Sequence, residues 1–229
     1  MKIGIFGTGG VGRTIAAKLA RLGHDVVIGT RDPKATLANT EKGPMGGALF
    51  SEWHKEHPTI SLRTFAEAAA HGELLINATS GFGSLEALKL AGDANLGTKA
   101  LLDISNPLDF SRGMPPSLFV SNTDSLGEQL QKAFPQVRVV KGLNTLTAGL
   151  MVDPAMLPER TNLFLCGNDA AAKDEVRALL KQFGWADADM IDLGDITNAR
   201  GTEMVLPVWI RLWGALQTPF FNFRIVKAG

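Results

Sequence analysis

The chain of 229 residues has a single cysteine, Cys166. That excludes an internal disulfide and argues against a metal centre built from cysteines. There is no excess of charge of either sign, with 23 Lys and Arg against 23 Asp and Glu. A balanced chain lacks the basic stripe that nucleic acid or an acidic membrane selects, so neither partner is expected. Nowhere does an uninterrupted apolar run reach the roughly 18 residues of a membrane span. The tail "MVLPVWIRLWGALQTPFFNFRIV" comes nearest, but Arg211, Gln217, Asn222 and Arg224 interrupt it. It reads as a buried helix, Asn198 to Gln217, followed by an apolar surface. Histidines number four: His24 in a turn, His54 and His57 on a polar helix and His71 in a loop, none at a strand end. Neither H-E-x-x-H, nor a nucleophile elbow, nor a carboxylate pair at a strand end is present, so the sequence offers no catalytic acid, base, nucleophile or metal site. Asp103, inside an apolar strand, reads as structural. The start "MKIGIF" runs directly into a strand, from which no signal peptide and a cytoplasmic location are expected.

What is there has a regular grammar. With 45% hydrophobic and 20% charged residues the chain is a globular protein with ample core. "KIGIFG" is a short apolar run ending in glycine, and Val11, Ile15, Leu19 and Leu22 mark one face of a following helix. "HDVVIG" is the next strand. Strands and helices then alternate through "TISL", "TFAEAAA", "ELLINA", "SLEALKL", "KALLDIS", "SLGEQLQKAF" and "VRVVKG", with a loop at Gly43, Pro44, Gly46 and Gly47. The expected fold is α/β: a Rossmann-type, doubly wound, mostly parallel sheet covered on both faces. Beyond Met151 the grammar shifts, with "NLFLCG" and "ADMIDLG" flanking one helix. The Pro-rich "VDPAMLPER" is the natural seam. It divides the chain into a core, residues 1–150, and a small α/β C-terminal extension, residues 151–229.

Gly7-Thr8-Gly9-Gly10-Val11-Gly12 matches G-x-G-x-x-G at the strand-to-helix junction where the pattern has mechanical meaning. Gly7 allows the tight turn, Gly9 lets backbone approach a pyrophosphate, and Gly12 lets helix and strand pack closely. The helix start then offers free N–H groups and a partial positive charge to phosphate. At the end of the second strand an NAD enzyme usually carries a carboxylate for the adenosine ribose. Here Thr30 and Arg31 stand there instead. A hydroxyl donor and a guanidinium suit a 2′-phosphate, and Lys34 could add a second charge, so NADP is the expected cofactor. Asp32 before Pro33 is expected to cap the next helix. The plain alternative for Arg31 is a solvated turn residue.

Three further strand ends carry small or amide side chains. "INATSGFGS", with Ala78 and Thr79, leaves a buried strand where a ligand of a parallel sheet sits; its plain alternative is a loop with Ser84 as helix cap. "LLDISNPLDF" and "VVKGLNTLTAGL" bring Asn106 and Asn144. Either amide alone could cap a turn, but together they outline a cleft wall.

The phrases "GTGGVG", "DISNPL", "VVKGLNT", "FLCGND", "DLGDITNARGTE" and "FFNFRIV" resemble, in order and over nearly the whole chain, the F420-dependent NADP oxidoreductases. They also resemble the related reductase domain of the STEAP metalloreductases. The resemblance implies a Rossmann core, usually dimeric, with NADP at the carboxyl edge of the sheet and coenzyme F420 or a flavin against the nicotinamide. It places Thr8, Gly9, Gly10 and Val11 on the pyrophosphate, Thr30 and Arg31 on the 2′-phosphate, and Thr79 near the ribose. Asn144, Thr145, Leu146 and Ala148 fall beside the nicotinamide. Asp32-Pro33 departs from the more basic stretch of archaeal members.

The expected function is hydride transfer between NADPH and a small-molecule redox acceptor, a deazaflavin or flavin, in a homodimer. The cofactor carries the chemistry and the protein positions it. Two other functions stay open: an imine or carbonyl reductase, for which Lys141 is the nearest proton donor, and an NADP-sensing protein without turnover. Trp209, Trp213, Phe220, Phe221 and Phe223 are more aromatics than one helix can bury, so part of the tail is expected at a dimer contact or an acceptor wall.

Overall fold

The computed structural model describes residues 1–41 and 48–228. The loop expected at Gly43, Pro44, Gly46 and Gly47 lies outside the described residues. The chain opens with β1 (Lys2–Phe6), α1 (Gly10–Arg21) and β2 (Asp25–Thr30). Next come α2 (Pro33–Ala38), α3 (Phe50–Glu56), β3 (Ser61–Thr64), α4 (Phe65–His71) and β4 (Leu74–Asn77). Helices α5 (Gly81–Ala91) and α6 (Asp93–Leu96) lead to β5 (Ala100–Asp103). A hairpin of β6 (Leu108–Asp109) and β7 (Ser117–Leu118) follows, then α7 (Leu126–Ala133), β8 (Arg138–Gly142) and α8 (Ala148–Val152). The chain ends with β9 (Leu163–Gly167), α9 (Ala170–Phe183), β10 (Met190–Asp192), α10 (Ala199–Met204) and α11 (Leu206–Leu216).

One sheet of eight strands runs in the order β10-β9-β8-β5-β4-β1-β2-β3. From β3 across to β8 every pairing is parallel, and the winding reverses between β1 and β4. That is the doubly wound arrangement expected from the alternation of elements, and it opens a crevice at the carboxyl ends of β1 and β4. The strands are apolar runs because both faces are covered. Ile3 and Ile5 face α1 and α9 through Ile15, Leu19, Leu179 and Leu180. Phe6 faces the opposite layer, with Phe65 and Ala68 of α4 and Leu130 of α7. Each such side chain, taken fully out of water, contributes about 1.5–3 kcal/mol. Residues beyond Met151 extend the same sheet: β9 pairs antiparallel with β8, and β10 parallel with β9.

Local expectations fail at four places. The single tail helix is two, α10 and α11, meeting at Val205. Pro207 has no N–H for the carbonyl four residues back and its ring crowds that carbonyl, yet its φ suits the first turn of a new helix. His71 closes α4 rather than sitting in a loop. Ser80, not Ser84, precedes α5, and Ser84 is buried within it. The β6–β7 hairpin, registered through Leu108 opposite Leu118, was hidden because each strand is only two residues long.

Candidate functional site

The motif glycines divide into two kinds. Gly7 has φ +115, a Cβ there would lie 2.5 Å from the Ala78 carbonyl oxygen, and its N–H donates to Gly29 O at 3.1 Å. A Cβ on Gly12 would run into the Gly7 carbonyl oxygen. These two glycines hold β1, α1 and β4 together. Gly9 and Gly10 differ, because a Cβ on either meets nothing within 4 Å. Their backbone faces open space at the start of α1, which has no side-chain cap and no acidic residue in its first turn. The arrangement presents unpartnered N–H groups and a partial positive charge, the requirements of an anion site.

An open groove of about 510 Å³ runs from Thr8 and Gly9 to Thr30 and Arg31. Arg31 is exposed and forms no ion pair or side-chain hydrogen bond with the described residues, so its guanidinium is available to a ligand. Asp32 belongs to α2 as expected, its carboxylate accepting from Lys34 N at 2.8 Å and Ala35 N at 3.0 Å. Thr30 is buried, and its hydroxyl lies 2.9 Å from that of Thr36, which itself donates to Asp32 O at 2.8 Å. With the Thr36 proton so committed, Thr30 donates to Thr36 rather than into the groove. Lys34 is exposed on α2 and stands outside the groove lining. Arg13, which sequence reasoning missed, lines the same groove and donates from Nη1 to Ala48 O at 2.7 Å. Its signal was its place directly after the last motif glycine, on the first turn of the helix that the motif starts.

A second cavity of about 290 Å³ lies beside the loop, at the ends of β4, β5 and β8. Val11 from the first turn of α1 and Ala78, Thr79, Asn106, Asn144 and Leu146 from beyond the strand ends all line it. Phe82, Phe110, Leu206 and Trp209 add an apolar wall, and none of the residues lining the cavity carries a charge. Trp209 stacks on Phe221 at 5.2 Å, while Phe220 remains 47% exposed. Asn144 is held just beyond Leu143, which sits at φ +60, a conformation that costs a bulky residue about 1–2 kcal/mol. Thr145 is buried, Ala148 opens α8, and neither reaches the cavity surface.

Beneath this cavity lies a buried ionic cluster. Lys141 Nζ donates to Asp103 Oδ2 at 2.8 Å and to Ser105 O at 2.5 Å, and lies 2.7 Å from Glu203 Oε1. Lys141 and Asp103 are fully buried and Glu203 nearly so. Burial pulls the Lys141 ammonium down, but Asp103 and Glu203 together outweigh it and hold it above its ordinary value. Sequence reasoning saw Asp103 as structural, which it is, through a cation as well as backbone. It missed Glu203, because nothing in the spacing of residues 103, 141 and 203 announces their meeting.

A family model described as NADP oxidoreductase, coenzyme F420-dependent, matches residues 2–107. The crystal structure of a candidate F420-dependent NADP reductase from Arthrobacter sp. FB24 is 59% identical, covers 99% of this chain and all of that one, and superposes with a TM-score of 0.93. This chain belongs to the F420-dependent NADP reductase family. The F420-dependent NADP reductase of Methanothermobacter marburgensis is 26% identical over 93% of this chain and 92% of its own. Metalloreductase STEAP3 of Rattus norvegicus is 29% identical over 91% of this chain. The chain spans only 38% of that relative, and 41% of human Metalloreductase STEAP2. The loop of Gly7–Gly12 and the groove to Arg31 fall within the matched segment, whereas Asn144, Glu203 and Trp209 come from the part beyond it.

Proposed function

We propose that this chain is an NADP-dependent oxidoreductase that transfers hydride between NADPH and a planar redox acceptor, coenzyme F420 or a flavin. The observation that carries it is the pairing of the uncapped α1 start at Gly9 and Gly10 with Arg31, which has no side-chain partner among the described residues, across one groove. The residues fit the cofactor: space is left where a Cβ would intrude, donors are free where phosphates would lie, and a guanidinium waits at the strand end. In this reading Thr8, Gly9, Gly10 and Val11 hold the pyrophosphate between the framing glycines Gly7 and Gly12. Arg31 takes the 2′-phosphate, with Arg13 on the same rim; Thr30 supports α2 through Thr36. Lys34 contributes charge from outside. Ala78, Thr79, Asn106, Asn144 and Leu146 take the ribose and nicotinamide end, with Thr145 and Ala148 behind them.

When bound, the nicotinamide supplies the hydride; the protein's work is to align two rings and to exclude water. The uncharged cavity with its aromatic wall suits a flat acceptor ring. Lys141 is sealed in its ion cluster with no exposed surface, so it has no route to a substrate, which disfavours an imine or carbonyl reductase that draws its proton there. The same proposal assigns nucleotide binding to residues 1–150, and the acceptor wall and a homodimer contact to residues 151–229. Val208, Leu216 and Phe220, all exposed, are the apolar surface that a second copy would cover. It also places the protein in the cytoplasm, working on a small molecule with neither nucleic acid nor membrane as partner. Among the described residues no helix is long and apolar enough to cross a membrane. The test is turnover: the purified protein is mixed with NADPH and, in turn, F420, FMN, FAD and a ferric chelate. NADPH oxidation with one of the ring acceptors supports the reading, and tight NADPH binding without oxidation by any would make it a sensor.

A further inference from the structure

The ionic cluster does not stop at Lys141. Asp103 Oδ1 accepts from Asn77 Nδ2 at 2.8 Å and from Ser105 Oγ at 2.7 Å. Asn77, fully buried, also donates from Nδ2 to Ser84 Oγ at 3.1 Å. Its carbonyl oxygen Oδ1 accepts from Thr79 Oγ1 at 2.7 Å and from Thr79 N at 3.3 Å. At the far end, Glu203 accepts from Leu126 N at 2.9 Å and Gly127 N at 3.0 Å. One hydrogen-bonded line therefore runs from α10 through β8, β5 and β4 to the cavity wall.

The line has a polarity. An ionised carboxylate can only accept, so Asp103 forces Asn77 to turn its amide NH₂ inward. That leaves the Asn77 carbonyl oxygen facing Thr79, whose hydroxyl donates to it, while the Ser84 hydroxyl, 3.0 Å from Thr79 Oγ1, gives its own proton to Ser80 O at 3.1 Å. Lys141 donates to Asp103 Oδ2, so Oδ1 is the oxygen left to accept from Asn77 and Ser105. Thr79 lines the cavity with its proton already spent inward, so it offers a ligand lone pairs only. Glu203, meanwhile, stands just before α11, which carries Leu206 and Trp209 to the same cavity.

We propose that Glu203, Lys141, Asp103 and Asn77 are positioning residues that fix Thr79 as a hydrogen-bond acceptor, selecting a ligand group that donates and refusing a phosphate or carboxylate oxygen at that point. The proposal rests on the assignment of this cavity to the ribose and nicotinamide end of NADPH, whose hydroxyls and carboxamide are such donors. Buried charge is dear to maintain, and here it sets the direction of a chain of neutral hydrogen bonds.

The experiment is a double-mutant cycle read by NADPH affinity on the full chain, with folding checked by denaturant unfolding. Thr79→Val and Asp103→Asn should each weaken NADPH about tenfold, the scale of one well-made hydrogen bond. The double variant should be no weaker than either single one, because both remove the same contact. Thr79→Ser should restore wild-type affinity. If Asp103→Asn does not fold, Asn77→Ala cuts the same line between Asp103 and Thr79 and is expected to give the same non-additive cycle. Additive losses, or unchanged affinity in folded Asp103→Asn or Asn77→Ala, would overturn the relay while leaving NADPH binding intact. A wild type that binds no NADPH would overturn the nucleotide assignment and the relay with it.

Discussion

Asn106 and Asn144 clasp each other across two strand ends: Asn144 Nδ2 donates to Asn106 Oδ1 at 2.9 Å, and Asn106 Nδ2 donates back to Asn144 O at 2.8 Å. The clasp fixes the wall of the uncharged cavity, at the exit of β5 and beyond the strained Leu143. Asn106→Ala removes both bonds and leaves the buried Asn144 amide unpaired, at about 1–3 kcal/mol. The expected result is a fall of roughly tenfold or more in kcat/KM for the acceptor. NADPH affinity should fall as well, since both amides line the cavity proposed for its ribose and nicotinamide end. Unchanged steady-state kinetics in the variant would show that the clasp is not part of the working site.

The two kinds of glycine in the loop should fail differently. Gly9→Val puts its side chain into open space, so the protein should fold and lose nucleotide. Gly12→Ala drives a methyl into the Gly7 carbonyl, so melting temperature should fall even without ligand, by an amount in the overpacking range of about 1–3 kcal/mol. Retained NADPH affinity in folded Gly9→Val, or an unaltered melting temperature for Gly12→Ala, would break the assignment.

Arg200 and Glu128 give a prediction in pH. Arg200 reaches Glu128 with Nε at 2.8 Å and Nη2 at 2.6 Å, and Ser125 Oγ donates to the same carboxylate at 2.7 Å. The Arg200 hydrogen bond is the chief cause that holds the Glu128 carboxyl below its usual range, against the opposing effect of burial. A depressed value in the fold means stability that is present above the unfolded carboxyl value, about 4.3, and is lost as pH falls through the folded value. Arg200→Gln should therefore lower the melting temperature at pH 7, and the gap to wild type should close on acidification below pH 4 or so. A gap that persists unchanged at low pH would point to packing by the arginine stem instead.

The doubly wound sheet was legible because its signal is local: apolar runs, helical spacing and Gly7–Gly12 lie within short windows. Thr79, Asn106 and Asn144 were legible for the same reason, each being a polar residue just past an apolar strand. Glu203, Lys141 and Asp103 were not, since a buried charge looks like a surface charge until tertiary structure brings its partner. The break at Val205 was within reach, because Pro207 announced it, but the apolar periodicity on either side read as continuous. Only the fold shows the Thr30 hydroxyl beside that of Thr36, six residues on in α2.

Arg31 bears the central claim, because only NADP(H), not NAD(H), carries the 2′-phosphate that it is proposed to bind. The decisive measurement is the dissociation constant of NADPH and of NADH for wild type and Arg31→Ala, read by nicotinamide fluorescence at one fixed ionic strength. The variant should lose about 1.5–3 kcal/mol for NADPH, the worth of a hydrogen bond to a charged group, and almost nothing for NADH. Equal losses for both nucleotides, or a wild type that prefers NADH, would contradict the claim.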